Sequence, residues 1–247
     1  MATRPAAVLF DLDGTLADTE AMWRHAYRRL AADAGVELEP DWWADALGRD
    51  LGDAATALLG SELAPPDDRD HLVARLIDHA LASLAGGPGT TAGDERDGLG
   101  EGAAGDEGAA GDDGVVVAWR PGAEELLAEL ARAAVPTAVV TASPRRLLEA
   151  VVHQLGIEVE VTVAVDEVAR PKPDPEGYLR AARLLGVAVD EAVVVEDSPT
   201  GVAAGEASGA RVLAVPHGVP VVDGPGRTVV DSLAEVTVAT LAALPAT

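Results

Sequence analysis

The stretch at residues 6–15 reads Ala-Ala-Val-Leu-Phe-Asp-Leu-Asp-Gly-Thr, a short apolar run that stops at an acidic residue. An apolar run of this length is typical of a buried parallel strand. Asp11 and Asp13 follow the run, and Gly14 permits the sharp turn that brings both carboxylates to one cavity. Paired carboxylates suit a hard cation such as Mg²⁺, and one of them can attack phosphorus while the other moves a proton. The alternative interpretation is an ordinary Asp-Gly turn.

Similar apolar runs recur further along the chain, and segments with helical patterns lie between them. The later runs are at 137–140, 192–195 and 211–215. The intervening helical segments are 124–134, 144–155 and 174–186. Strands that alternate with helices at this spacing indicate βαβ units. The sequence therefore predicts an α/β fold with a doubly wound parallel sheet.

The segment after the first strand has a different pattern. Residues 16–85 show helical spacing and no convincing strand, which predicts a small all-helical cap domain inserted after the first strand. Residues 1–15 and 115–247 would then form the α/β core domain. Residues 86–114 are rich in glycine, alanine and acidic side chains. Such a composition cannot bury enough apolar surface to order itself, so we predict a disordered linker loop there.

A second chemical signal is the junction Thr141-Ala142-Ser143-Pro144, where an apolar run ends and a helix begins. Hydroxyl groups and backbone N–H groups at such a junction bind phosphate oxygens. Ser143 directly precedes a helix that starts with proline, so we predict it as the N-cap. Thr141 is then the candidate phosphate ligand.

Lys172 is the third signal, because all the other positive side chains among the 18 lysine and arginine residues are arginines. Pro171 and Pro173 flank it and predict a fixed, extended backbone. An ammonium held in this way can neutralise both a carboxylate nucleophile and a bound phosphate. The alternative is a solvated loop lysine.

The fourth signal is Glu196-Asp197, which follows the apolar run at 192–195. Asp197 is the natural third oxygen ligand for a cation. Ser198 or Thr200 is predicted to cap the helix that follows. In an open α/β sheet, ligands bind at the carboxyl ends of the strands, and all four signals stand at such ends.

The motif residues, taken in chain order, resemble those of the haloacid dehalogenase superfamily. They are Asp11, Asp13, Thr15, Thr141, Lys172, Glu196 and Asp197. The helical insert resembles the small cap of subfamily I. The run at 195–205 looks like the branch that contains β-phosphoglucomutase and the sugar-phosphate phosphatases. The resemblance implies a Rossmann-like core and a Mg²⁺-dependent phosphatase that hydrolyses a small phosphorylated metabolite, such as a sugar phosphate.

Roles for individual residues are also implied by the resemblance. Asp11 would form an aspartyl-phosphate, and Asp13 would protonate the leaving group and then activate water. Mg²⁺ would be bound by the carboxylates of Asp11 and Asp197 and by the backbone carbonyl of Asp13. Glu196 would stabilise the metal's surroundings, directly or through water.

The resemblance also implies how the substrate is held. Thr141 and the backbone N–H of Ala142 would bind the transferring phosphoryl group, while Lys172 would balance its charge. Arg49, in the predicted cap, is placed to lie over the substrate. A plain surface arginine is the alternative for this residue.

Three other functions are weighed against the phosphatase. β-Phosphoglucomutase carries a cap histidine where this chain has Trp23, and His25 would lie about 160° to 200° away around a helix. A phosphomutase is therefore the runner-up. Dehalogenation does not require Mg²⁺, so Asp13 and Asp197 argue against it. A purely binding role predicts a missing motif residue, and none is missing.

Composition narrows the cellular context. The net charge is -24 with no basic patch, which argues against nucleic acid as a partner. Disulfides and thiolate nucleophiles are excluded because the chain has no cysteine. No apolar run is long enough to cross a bilayer, and the N-terminus lacks a signal-peptide pattern. We expect a cytoplasmic monomer or weak dimer with no membrane partner.

Overall fold

The computed structural model describes residues 4–46, 49–60, 69–85 and 114–245. The predicted linker at 86–114 lies outside the described residues, apart from Gly114. None of the described helices is both long and apolar enough to cross a membrane.

A six-stranded parallel sheet, in the order β5-β4-β1-β6-β7-β8, lies at the centre of the fold, and β2 and β3 form a separate antiparallel pair. The strands are β1 Val8–Phe10, β2 Ala17–Asp18, β3 Ala118–Trp119, β4 Thr137–Val140, β5 Val161–Val163, β6 Val193–Glu196, β7 Arg211–Ala214 and β8 Arg227–Val229. The sheet extends from β1 through β4 and β5 on one side and through β6, β7 and β8 on the other. The predicted doubly wound α/β sheet is therefore confirmed.

The described helices fall into two groups along the chain. Between β2 and β3 lie α1 Glu20–Ala34, α2 Trp42–Ala46, α3 Leu51–Leu59 and α4 Arg69–Ala85. After β3 come α5 Ala123–Arg132, α6 Arg145–Leu155, α7 Glu176–Leu185, α8 Pro199–Ser208 and α9 Val238–Ala243. Single 3-10 turns lie at 165–167, 189–191 and 233–235. The first group matches the predicted helical insertion, although its opening strand β2 was not predicted.

The apolar run in β1 is uninterrupted because both faces of the sheet are buried. Val8 and Phe10 belong to one apolar cluster, which extends into the helices between β2 and β3. Leu9 belongs to a second cluster on the opposite face, where Tyr178 of α7 packs. Side chains alternate across a strand, so a strand covered on both sides must be apolar at every position.

Gly122, directly before α5, is the glycine with the tightest backbone contact outside the site. Its φ is +84°, and an added Cβ would lie 2.1 Å from the backbone nitrogen of Ala234. We expect Gly122→Ala to destabilise the protein by the left-handed backbone cost of about 1–2 kcal/mol plus about 1–3 kcal/mol for the clash.

Chemical denaturation measures this loss, and Gly156→Ala is the matched control. Gly156 also has a positive φ, +67°, but nothing lies within 4 Å of an added Cβ. The control should therefore show only the backbone cost. Equal losses in the two variants would contradict the proposed close contact at Gly122.

Candidate active site

The carboxyl ends of the three central strands bring the chemical residues together. Asp11 follows β1, and its backbone N–H donates to the carbonyl of Val195 in the neighbouring β6 at 2.9 Å. Thr141 follows β4, which pairs with the other side of β1. Glu196 ends β6. Neighbouring parallel strands end at the same edge of a sheet, so three sequence-distant segments meet in one place.

Lys172 connects all three of these strand ends. Its Nζ donates to Asp11 Oδ1 at 2.6 Å, to Glu196 Oε1 at 2.6 Å and to the carbonyl of Val140 at 2.9 Å. Only 10% of its side chain is exposed, so the alternative of a solvated loop lysine is wrong.

The backbone around Lys172 differs from the prediction. Lys172 and Pro173 lie in a turn rather than in an extended segment, and the backbone N–H of Asp174 closes the turn by donating to the carbonyl of Pro171 at 3.0 Å. The flanking prolines restrict the chain, as expected. The direction of the Lys172 side chain is set by the three acceptors of its ammonium, which are Asp11, Glu196 and the carbonyl of Val140.

Glu196 is fully buried, and both of its carboxylate oxygens accept hydrogen bonds. Besides Lys172, the hydroxyl of Tyr178 donates to Oε1 at 2.7 Å. Oε2 accepts from the backbone N–H of Asp197 at 3.1 Å and from the hydroxyl of Ser198 at 3.2 Å. An added Cβ on Gly201 would lie 1.8 Å from Oε1, so only glycine leaves room for this carboxylate. Glu196 is thus held rigidly from all sides.

Asp13 is oriented by three hydroxyl groups. Thr19 donates to Oδ1 at 2.9 Å, while Thr141 and Ser143 each donate to Oδ2 at 2.9 Å. The prediction that Ser143 caps α6 is wrong, because Pro144 occupies the N-cap position and the buried Ser143 hydroxyl turns to the acid instead. Sequence reasoning missed Thr19 and Ser143 as partners of Asp13.

Ser198 fulfils its predicted role at the other helix. Its side chain caps α8 by accepting from the backbone N–H of Gly201 at 3.1 Å. The cap fixes the start of α8 directly after Asp197. Since Ser198 also donates to Glu196, one hydroxyl links the helix start to the acidic end of β6.

The acidic residues form a group suited to a metal ion. One carboxylate oxygen from each of Asp11, Glu196 and Asp197 lies within 4.8 Å of the others. Asp11 Oδ2 is buried and has no hydrogen-bond partner among the described residues. Gly14 has a φ of +89°, and an added Cβ would lie 2.3 Å from Asp197 Oδ2, so the glycine lets this turn approach the acid. All-oxygen donors with one unsatisfied atom fit Mg²⁺.

Burial and mutual repulsion act on the pKa values of this group. The pKa of Asp11 is raised to about 8: burial has the largest effect, Lys172 opposes it, and Glu196 and Asp13 add to the rise. The pKa of Asp197 is raised well above its usual value by burial and by the neighbouring Asp11 and Glu196. A carboxylate that is costly to ionise in this way is stabilised by a cation.

A cavity of about 610 Å³ opens above the acidic group. Asp11, Asp13 and Lys172 line its floor, and the predicted substrate residue Arg49 lines it from the helical segment. Glu20, Trp23, Trp43 and His217 also line this cavity. Trp42, in contrast, is buried in the core. Sequence analysis missed Glu20 and His217 because neither belongs to a recognisable motif.

Comparison with known proteins agrees with this geometry. A family model described as haloacid dehalogenase-like hydrolase matches residues 5–209. The chain belongs to this family. The predicted resemblance is therefore confirmed, and the motifs at the strand ends lie within the matched region.

Individual relatives point to the same enzyme class. The chain is 34% identical to validoxylamine A 7'-phosphate phosphatase of Streptomyces hygroscopicus subsp. limoneus, over 81% of each chain. It is 33% identical to a plasmid-encoded phosphoglycolate phosphatase of Cupriavidus necator, over 97% of this chain and 91% of the relative. The crystal structure of CbbY from Rhodobacter sphaeroides in complex with phosphate is similar, with a TM-score of 0.70, 27% identity and coverage of 94% and 96% of the two chains. These similarities support a phosphoric monoester hydrolase.

Proposed function

We propose that this protein is a Mg²⁺-dependent phosphatase that hydrolyses a small phosphorylated metabolite through an aspartyl-phosphate on Asp11. The observation that carries the proposal is the environment of Asp11. Its Oδ1 accepts from Lys172, while Oδ2 is buried and has no partner among the described residues, and Asp11 itself lines the cavity. One oxygen is thus held in place and the other is left for chemistry.

The first step forms a bond between a carboxylate oxygen of Asp11 and phosphorus and breaks the bond between phosphorus and the leaving oxygen. Asp13 gives its proton to that leaving oxygen, so the product departs as a neutral alcohol. The three hydroxyls around Asp13 fix the direction of its carboxyl group. In the second step Asp13 takes a proton from water, which attacks phosphorus and releases Asp11.

The phosphoryl group needs positioning and charge neutralisation more than it needs further reactive groups. The proposed donors are the hydroxyl of Thr141, the backbone N–H of Ala142 and the ammonium of Lys172. Thr141 and Lys172 already lie beside the two aspartates. Arg49 lines the cavity opposite the floor and is the proposed contact to the rest of the substrate.

Mg²⁺ would be held by the carboxylates of Asp11 and Asp197 and by the backbone carbonyl of Asp13. The ion supplies charge neutralisation for the phosphoryl oxygens and for the crowded acids. Glu196 has both oxygens engaged by protein donors, which supports a role in holding Lys172 and in reaching the metal through water.

The substrate class follows from the relatives and the cavity. Phosphatases of validoxylamine A 7'-phosphate and of phosphoglycolate are both similar to this chain, so a small phosphorylated metabolite is the proposed substrate. A cytoplasmic location and a monomer or weak dimer remain predictions.

The decisive measurement is phosphate release from a panel of sugar phosphates, phosphoglycolate and nucleotides, with Mg²⁺ and with EDTA. We expect release from at least one compound with Mg²⁺ and a loss of at least about 10²-fold with EDTA, because the buried acids lose their counter-charge. Conversion of a sugar 1-phosphate to its 6-phosphate without phosphate release would establish a mutase instead. Undiminished turnover in EDTA would contradict the metal dependence.

A further inference from the structure

Tyr178 contacts both members of the ion pair that joins Lys172 to Glu196. Its hydroxyl donates to Glu196 Oε1 at 2.7 Å, and Lys172 Nζ lies over its ring at 5.0 Å from the centroid. Lys172 donates to the same Oε1 at 2.6 Å. One carboxylate oxygen therefore has two donors, and the residue that supplies the first also packs against the second.

The hydroxyl of Tyr178 is not needed for packing. The side chain is fully buried in the apolar cluster that contains Leu9. Phenylalanine would fill nearly the same space without a polar group that must find a partner when it is buried. The hydroxyl is therefore explained by its contact with Glu196 rather than by the core.

The first turn of α7 holds both Tyr178 and Lys172 in place. The carboxylate of Glu176 accepts from the backbone N–H groups of Ala169 and Arg170 at 2.9 and 3.1 Å. These bonds tie the segment that leads to Lys172 to the helix from which Tyr178 projects. A functional group is held accurately when its neighbours are fixed by packing and hydrogen bonds in this way.

Asp11 depends on Lys172 for the orientation of its carboxylate. Lys172 donates to Oδ1 at 2.6 Å, and Oδ2 has no partner in the part of the chain that the structure describes. Glu196 accepts from the same ammonium at the same distance. Hydrogen bonds to an ionised acceptor are roughly twice as strong as neutral ones, so one added donor on Glu196 changes how the ammonium is shared.

We propose that Tyr178 is a positioning residue for the phosphatase: its hydroxyl partly satisfies Glu196, so that Lys172 stays directed at Asp11 and at the transferring phosphoryl group. Without the hydroxyl, the ammonium moves toward Glu196 and holds Asp11 less well. Displacements of this kind lower turnover because in-line attack requires a fixed nucleophile. This inference rests on the proposed phosphatase function and assigns a role to a residue outside its reacting groups.

Tyr178→Phe isolates the hydroxyl, because the ring and its contact with Lys172 remain. The kinetics are measured with the compound of the panel that the wild-type protein hydrolyses fastest in Mg²⁺. We expect kcat to fall about tenfold with KM within about twofold of the wild-type value. KM should change little because Thr141 and Arg49 are untouched and Lys172 keeps its charge. A purely structural tyrosine would lower the melting temperature and leave kcat of the folded protein unchanged.

The lysine itself gives a readout that does not depend on turnover. Lys172 is the only lysine in the chain, so lysine labelled with ¹⁵N at Nζ gives a single side-chain NMR signal in substrate-free protein. Asp11→Asn supplies the reference, because it removes the carboxylate partner of the ammonium. Tyr178→Phe should shift the signal in the same direction as Asp11→Asn, since both weaken the contact between Lys172 and Asp11.

Thr137→Val is the matched control for the loss of a hydroxyl. Thr137 is buried at the start of β4, at the end of the strand away from the site, and its hydroxyl donates to Glu160 Oε2 at 3.0 Å. Both substitutions delete a buried hydroxyl that donates to a glutamate, so both should lower the melting temperature by about 2–8 °C. Thr137→Val should leave kcat and the Lys172 signal unchanged.

The outcomes separate this inference from the function on which it rests. A fall in kcat together with the shift of the lysine signal supports the positioning role. An unchanged kcat, or a fall in kcat while the signal stays at its wild-type position or moves the opposite way, overturns that role while the phosphatase stands. If the wild-type protein releases phosphate from no compound in the panel, the proposed function fails, and this inference fails with it.

Discussion

The Asp11→Asn variant is expected to lose at least about 10³-fold in kcat and to remain folded. The amide cannot attack phosphorus, and residues that act as a unit with the nucleophile cannot replace it. Substrate binding should survive, because Thr141, Lys172 and the cavity lining are unchanged. The expected signature is therefore a loss in kcat with KM changed little, measured by phosphate release under saturating Mg²⁺.

Stability should be retained or increased by this substitution. Burial raises the pKa of Asp11 to about 8, so the folded state binds this proton more tightly than the unfolded chain does. The carboxyl then costs stability as pH rises from its unfolded value of 3.8 to about 8. Asparagine carries no such proton, so the advantage of Asp11→Asn over the wild-type protein should grow across that pH range in metal-free buffer.

The control for this variant is Asp190→Asn, which makes the same change at an exposed position. Asp190 lies in the 3-10 turn that precedes β6, at the opposite end of the strand from the site. It should keep full activity. Near-normal turnover by Asp11→Asn would show that the nucleophile is a different group.

The central sheet was predictable from sequence because burial on both faces imposes an unmistakable pattern. β1 is apolar throughout for this reason, and so are the buried segments 138–140 of β4, 193–195 of β6 and 212–214 of β7. β8, in contrast, is half-buried throughout and begins with Arg227, so it lacks that signal. β2 and β3 have two residues each, too short for any periodicity to develop.

Within the site, sequence reasoning succeeded where the residue type itself was unusual. A lone lysine among arginines pointed to a required ammonium, and Lys172 is indeed buried between Asp11 and Glu196. It failed where one residue type suits two roles. Ser143 is an excellent N-cap by type, and only the helix start at Arg145 shows that its hydroxyl is available for Asp13.

Glu20 of α1 and His217 of the loop after β7 lie 3.6 Å apart in the cavity and show a different limit. Glutamate at a helix start is explained locally by the helix dipole, and a histidine in a loop needs no explanation at all. Their facing arrangement arises only when the helical segment folds back over the carboxyl ends of the strands. No local pattern in the sequence contains that information, so such a pair is visible only in three dimensions.

Lys172→Met should destabilise the protein by about 3–5 kcal/mol near pH 9 in EDTA, besides abolishing turnover. The substitution shortens the side chain by one heavy atom and removes its charge and its hydrogen bonds. Asp11 and Glu196 would then be buried without their shared cation, each having lost a partner at 2.6 Å. Breaking a buried pair in this way costs far more than the net worth of the pair, because it leaves uncompensated charge behind.

The size of this loss should depend on pH with a definite sign. Lys172 lowers the pKa of Asp11, so its removal raises that pKa further above the unfolded value. A raised folded-state pKa means that the folded protein binds more protons, and its stability falls as pH rises. Because the wild-type pKa of Asp11 is about 8, the penalty from this acid should be small near pH 7, where Asp11 is protonated in both folded proteins. It should grow above pH 8 by up to about 1.4 kcal/mol per pH unit.

Urea denaturation of the metal-free variants at pH 7 and pH 9 measures this difference, and a second substitution tests its origin. Lys172→Met combined with Glu196→Gln removes one of the stranded charges, while the amide oxygen can still accept from Tyr178. The double variant should recover part of the stability that Lys172→Met loses at pH 9, giving a favourable coupling energy. If the single variant unfolds at the wild-type urea concentration at both pH values, the acids do not depend on Lys172 for their burial. If the stability loss in the double variant equals the sum of the losses in the two single variants, Lys172 and Glu196 contribute independently. If the double variant recovers stability, methionine at 172 and glutamine at 196 hold the same fold without the lysine. Lys172 is then kept for the charge that catalysis requires.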